Sequence, residues 1–136
     1  VSARAPGRPQ PQHPPLGELR SGMGQLAVGD AAILPLGFPE AARPVADALH
    51  RIWNGRRFDG IAALYADPAP MTAWLPAFLA GLPGATLYIE RGLADGDRVA
   101  LLWRLFADVG GRRLRLLGSS LFRMDGGRIA HDDSVF

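Results

Sequence analysis

From Glu40 onward the apolar positions recur at helical spacing. Val45, Leu49, Ile52 and Trp53 stand at i, i+4, i+7 and i+8, which predicts a helix with one buried face, and Asn54-Gly55 supplies its stop. Asp59 is placed to cap a short second helix whose inward residues are Ile61, Leu64 and Tyr65, ended by Pro68 and Pro70. A third helix follows, with Thr72 as N-cap ahead of Trp74, Leu75, Phe78, Leu79 and Leu82, and Pro83-Gly84 as stop. Beyond Gly84 the period changes to two. Strands are predicted at Ala85 to Arg91, Arg98 to Asp108, Arg112 to Met124 and Arg128 to Phe136.

The dipeptides Asp95-Gly96, Gly110-Gly111 and Gly126-Gly127 suit two-residue hairpins, so the last three strands read as an antiparallel meander. Helices first and sheet after is the order of an α+β domain in which three helices cover one face of a curved antiparallel sheet of about four strands. Two-residue turns also set a register. Trp103 falls opposite Gly118, Leu101 opposite Ser120, Ser120 opposite Asp133 and Phe122 opposite His131. The face carrying Leu101, Trp103, Leu105, Leu116, Ser120, Phe122, His131 and Asp133 is the more apolar, so the helices should cover it. The other face carries Leu102, Phe106, Leu117 and Leu121 among Arg113, Arg115 and Arg123. An apolar patch ringed by charge reads as a homodimer interface rather than a nucleic-acid platform, because stacking aromatics and a sustained basic stripe are thin there.

Composition narrows the picture. The chain has 136 residues, 48% of them hydrophobic, which fits one globular core, placed at 40–136. Residues 1–39 hold seven of the twelve prolines and no sustained period, so they read as a leader or linker; Arg8 to Pro15 is polyproline-like, and Ala31 to Leu36 is an apolar run able to pack as a short arm. Zero cysteines exclude a disulfide scaffold, a thiolate nucleophile and cysteine-ligated metal. The fifteen basic residues are all Arg, and the net charge is only +2. The isoelectric point near 9.9 therefore reflects a lack of groups titrating between His and Arg, not a basic surface. No apolar run approaches the roughly 20 residues of a membrane span. No membrane partner is expected, and with no signal-type stretch in the first thirty residues the expected location is the cytoplasm.

Ile52-Trp53-Asn54-Gly55-Arg56-Arg57-Phe58-Asp59, then Ala80-Gly81-Leu82-Pro83-Gly84-Ala85, Gly96-Asp97-Arg98-Val99-Ala100 and Phe122-Arg123-Met124-Asp125-Gly126-Gly127-Arg128-Ile129, taken in order, resemble a SnoaL-type polyketide-cyclase domain of the nuclear transport factor 2-like superfamily. The resemblance covers about two-thirds of the chain and marks it as a reduced or divergent member. It implies a cone-shaped α+β fold, a pocket between helices and sheet, and dimerisation through the exposed sheet face. Members include cyclases, isomerases and hydratases as well as domains that only bind or scaffold. Where cyclase-type members carry a histidine two residues before the Phe-Arg of the penultimate strand, this chain has Ser120.

Ser120, His131 and Asp133 are the polar interruptions of the apolar sheet face. A carboxylate drawn out of water gains basicity, and a neighbouring imidazole can share its proton, so the trio suits proton transfer beside a carbonyl group. Asp133 is then the base, His131 its partner, and Ser120 or Tyr65 the donor to developing negative charge. A hydrolase triad is a poor fit, since a mid-strand serine has no elbow and no oxyanion hole. A metal site is also a poor fit: neighbours on a strand point to opposite faces, and His13 and His50 lie in unrelated segments. No cofactor is expected. Tyr65, Trp103 and Trp74 are the aromatic candidates for contact with a small apolar ligand. The rival expectation is a non-catalytic ligand-binding or dimerisation module.

Overall fold

The computed structural model describes residues 27–28, 31–32 and 34–136. The polyproline-like stretch Arg8 to Pro15 lies outside the described residues. A two-residue pair, β1 (Ala27–Val28) and β2 (Ala31–Ala32), runs antiparallel and precedes three helices, α1 (Arg43–Trp53), α2 (Ile61–Leu64) and α3 (Ala69–Ala80). Four strands follow, β3 (Thr86–Asp95), β4 (Arg98–Val109), β5 (Arg112–Asp125) and β6 (Arg128–Val135), hydrogen-bonded in the order β3-β4-β5-β6. The architecture is α+β, three helices against a four-stranded antiparallel sheet. Among the described residues no helix is long and apolar enough to cross a membrane.

Helix α1 forms where the stripe predicts, and buries Val45, Ala46, Leu49, His50 and Ile52. It ends at Trp53, but the left-handed turn falls on Arg56 (φ 56°) and not on Gly55. The Arg56 guanidinium makes that turn worthwhile. It donates to the carbonyl oxygens of Trp53, Leu82, Pro83 and Ala85, joining the end of α1 to the loop that enters the sheet.

Helix α3 begins a turn earlier than its sequence suggests. Thr72 is not the N-cap, because its N–H already donates to the Pro68 carbonyl at 2.9 Å. Pro70 accounts for the difference: in the first turn a proline sacrifices no helical hydrogen bond. Pro76 lies inside the helix, where it removes one hydrogen bond, and Leu75 and Leu79 are the buried anchors.

Tyr65 is not helical. It is extended (φ −105°, ψ 135°), forms a parallel bridge with Ile129, and is followed by an Ala66 N–H to Ile129 carbonyl hydrogen bond of 2.9 Å. This short contact lays the segment after α2 along the free edge of β6. The arm residues Leu34 and Phe38 are both 6% exposed and belong to the same core as α1 and the inner sheet face.

The β4–β5 register matches the sequence expectation, with Leu101 opposite Ser120 and Trp103 opposite Gly118. The β5–β6 register does not. Met124 pairs with Ile129 but Arg123 pairs with His131, so Ala130 is an extra residue, a bulge in β6. One inserted residue inverts the facing of everything after it. Ser120 therefore stands opposite Ser134, Phe122 opposite Asp132, and Leu121 opposite Asp133.

Candidate functional site

The inversion decides which polar groups meet on the helix-covered face. His131 and Asp133, expected beside Ser120, pair with Arg123 and Leu121 on the outer face and are exposed. Asp132 and Ser134 take their places on the inner side. Ser120 itself is where the sequence put it, buried at 7% exposure.

The inner polar groups form a continuous chain. Trp103 Nε1–H donates to Ser120 Oγ at 2.9 Å, Ser120 Oγ lies 2.7 Å from Ser134 Oγ, and Ser134 Oγ donates to Asp132 Oδ1 at 2.6 Å. Its direction follows by elimination. An ionised carboxylate only accepts, so the single Ser134 proton goes to Asp132, and the Ser120–Ser134 contact is completed by the Ser120 proton. Each hydroxyl thus donates toward the carboxylate, and the indole N–H supplies the first hydrogen bond.

Gly118 permits this geometry. The Trp103 indole lies across β5 so closely that a Cβ on residue 118 would sit 2.3 Å from its Cζ2 atom. With no side chain there, the ring passes over the strand to reach Ser120. Phe136 flanks the same indole, with ring centres 6.0 Å apart.

Tyr65 completes the group. Its ring is buried at 6% exposure, and burial, followed by the charge of Asp132, pushes its phenol well above the ordinary value. The phenol stays protonated and able to donate throughout the neutral range. The site thus contains an exposed carboxylate, a protonated phenol near it, and a hydrogen-bonded chain behind it. A carboxylate can take a proton, and a phenol can donate to an oxygen that gains charge.

Trp74 belongs elsewhere. It is 48% exposed on α3, stacked on Phe78 with ring centres 4.8 Å apart and set edge-on to Trp53 at 6.3 Å. Of the residues assigned to the outer patch, Leu117 and Leu121 are exposed and Leu102 is half-buried, but Phe106 is 3% exposed and packs edge-on against Tyr88 at 5.8 Å within the same chain. Phe106 is therefore no part of an accessible patch.

Two clefts open elsewhere on the described residues. One, of about 290 Å³, lies between α1 and α2 and reaches Gly127; the other, of about 610 Å³, lies between residues 35–39 and strands β3 and β4. Neither is lined by Tyr65, Trp103, Ser120 or Asp132. Among the described residues no cluster of three or more His, Asp or Glu is arranged to hold a metal ion.

Comparison with known proteins agrees with this architecture. Residues 67–132 match the family model of the SnoaL-like domain. A proposed polyketide cyclase from Acidithiobacillus ferrooxidans superposes with a TM-score of 0.65 at 16% identity, covering 75% of this chain and 90% of that one. A protein of ketosteroid isomerase-like fold from Catenulispora acidiphila, solved with trimethylamine, gives 0.62 at 16% identity, covering 73% and 86%. An NTF2-like protein of unknown function from Burkholderia pseudomallei gives 0.63 at 15% identity, covering 73% and 92%. No curated protein matches the chain. At these identities the structural likeness is one of fold.

Proposed function

From a chain that carries a SnoaL-like domain on an NTF2-like fold, we propose a small-molecule enzyme of cyclase or isomerase type, moving a proton within a neutral carbonyl compound without a cofactor. Asp132 is the base and the Tyr65 phenol the donor to the oxygen that gains charge. The observation that carries this reading is the hydrogen-bonded chain ending on Asp132; the buried Tyr65 phenol, pushed up by burial and then by the charge of Asp132, supports the donor role. The fold and the polyketide-cyclase relatives support the class of chemistry. The test is a thermal-shift screen of the full chain against small carbonyl and polycyclic compounds, followed by a turnover assay on any stabilising compound. A hit that the protein converts, with conversion lost in Asp132→Asn, supports the proposal. Compounds that bind equally well to both proteins and are never converted would instead support a ligand-binding module.

A homodimer through the outer sheet face is part of the same reading. Leu93, Leu117, Leu121 and Val135 lie 71%, 54%, 43% and 62% exposed there, an apolar set of the kind that a second copy of the chain would cover.

A further inference from the structure

The two edges of the sheet differ in what covers them. At β3, the side chains of Asn54 and His50 bond the backbone of Leu87 and Ile89. At β6 only the start of the strand is covered: Tyr65 bridges Ile129, the Ala66 N–H bonds the Ile129 carbonyl, and the chain then turns away into α3. Among the described residues no strand lies beside β6 beyond that point. His131, Asp132, Asp133, Ser134 and Val135 are all exposed, so the strand is open on both faces as well as along its edge.

Which backbone groups stand open follows from the hydrogen bonds around them. The Met124 N–H points toward β4, to the Asp97 carbonyl, and the Ile129 carbonyl points away from β5, to Ala66. In an antiparallel strand the N–H and C=O of one residue share a side, and the side alternates from residue to residue. Arg123, Leu121 and Ser119 therefore turn toward β6, where they face His131, Asp133 and Val135. The N–H and C=O groups of Asp132 and Ser134 are left on the open edge. The run from 131 to 135, about 17 Å long, is a template for one more strand.

Charge selects the strand that fits. Asp132 lies on the inner side of this run and Asp133 on the outer, and exposed Asp67 follows Ala66 where the edge begins. Arg123 stands one strand in, across from His131, and Arg128 precedes the bulge, so neither lies along the open run. Two copies of β6 paired in register would set these acids against each other, which disfavours self-pairing. We propose that the edge of β6 from His131 to Val135 binds an extended segment of a partner protein by strand addition, and that this segment carries two consecutive basic residues, one facing Asp132 and one facing Asp133. Two positions beyond the residue that faces Asp133, it carries an apolar side chain to cover Val135, which is 62% exposed. Backbone hydrogen bonds at Asp132 and Ser134 hold the segment, and the two carboxylates choose it.

The probe is a fluorescently labelled peptide, Thr-Val-Thr-Arg-Arg-Thr-Val-Thr, whose sequence is the same in both directions and so suits either strand polarity. Fluorescence anisotropy on the full chain should show saturable binding, weakened about tenfold in the double variant Asp132→Asn/Asp133→Asn. A peptide with Glu-Glu at its centre should not bind. Neither should one with proline in place of the two threonines beside the arginines, which keeps both charges but cannot pair as a strand. Amide exchange locates the peptide: the Asp132 and Ser134 N–H groups should slow on binding, while those of His131, Asp133 and Val135, which face β5, change little. Equal binding of the proline peptide, or no slowing at Asp132 and Ser134, would overturn strand addition. Equal binding of the Glu-Glu peptide, or full affinity in the double variant, would overturn the basic partner. No binding of the Arg-Arg peptide up to about 1 mM would overturn both. No substrate enters the experiment, so its result is separate from that of the proposed proton transfer.

Discussion

Asn54 pairs with the backbone of Leu87 through both halves of its amide. Its Nδ2 donates to the Leu87 carbonyl at 2.8 Å, and its Oδ1 accepts from the Leu87 N–H at 2.7 Å. This is the pattern a neighbouring strand would offer, and among the described residues β3 has no neighbouring strand on that side. One turn back along α1, His50 Nε2 accepts from the Ile89 N–H at 3.3 Å. The last turns of α1 therefore cover the open edge of the sheet with side chains where a further strand would use backbone, protecting an edge that could otherwise pair with another molecule.

Asn54→Ala should destabilise the fold by about 1–3 kcal/mol, because it leaves both Leu87 polar groups half-buried and without these partners. Asn54→Asp keeps an acceptor for the N–H but loses the donor and sets a negative charge against the Leu87 carbonyl, so it should not restore stability. Urea unfolding followed by circular dichroism measures both. A wild-type midpoint for Asn54→Ala would show that water satisfies the edge equally well.

His50 makes the same edge sensitive to acid. Burial lowers its pKa from 6.5 to about 4, so the folded protein holds it neutral over a range in which the unfolded chain binds a proton. The depressed value fixes the sign. Stability is full above pH 6.5 and falls as pH drops toward 4, by roughly 3 kcal/mol over the whole window. Protonation would also turn the Nε2 acceptor into a donor facing the Ile89 N–H. His50→Gln, which keeps a possible acceptor but cannot titrate, should flatten this part of the profile, and chemical denaturation at pH 7 and pH 4.5 compares the two proteins. An equal loss of stability in both would assign the effect to other groups.

Gly118→Ala should dislodge Trp103. The added Cβ would lie 2.3 Å from the indole, closer than any real contact, and the other side of the conflict is the rigid end of a ring. Repacking of this kind costs about 1–3 kcal/mol. Loss of the indole hydrogen bond to Ser120 should appear as faster exchange of the Trp103 N–H with solvent. Unchanged exchange would mean that the ring finds a second route to Ser120.

Leu121→Arg should weaken self-association and leave the fold intact, since residue 121 is 43% exposed and faces away from the helices. Sedimentation velocity on wild type and variant reads the result. A wild-type chain that remains monomeric at high concentration would remove the dimer from the proposal.

Much of the fold was legible because its signals are local. Helical spacing at Val45, Leu49 and Ile52 and the glycine pairs at 110–111 and 126–127 each act over a few residues, and they place α1 and the hairpins correctly. The β4–β5 pairing followed from one turn, so Ser120 and Trp103 were found. Asp132 and Ser134 were missed because a bulge at Ala130 has no comparable signature: alanine fits any register, and Ile129 and Phe122 face the core with or without the extra residue. Ile129 and Asp132 both face inward three residues apart, which no regular strand allows, and the sequence of β6 alone does not show it. Tyr65 was recognised as a candidate, but its bridge to Ile129 joins residues 64 apart and could not be read from either segment alone.

The same bulge supplies the sharpest functional comparison, between two adjacent carboxylates of identical chemistry. Asp132 stands at the end of the inner chain near Tyr65, and Asp133 stands across from Leu121 on the outer face. If proton transfer occurs at the inner face, Asp132→Asn should reduce turnover of a converted compound by about 10²- to 10⁴-fold, the usual contribution of a positioned base. Asp133→Asn should leave the rate near wild type. Both substitutions remove one negative charge from exposed neighbouring positions, so a general electrostatic effect would lower both rates alike. The reverse result, loss with Asp133→Asn alone, would mean that β6 pairs without its bulge in the active protein and that the outer face carries the chemistry.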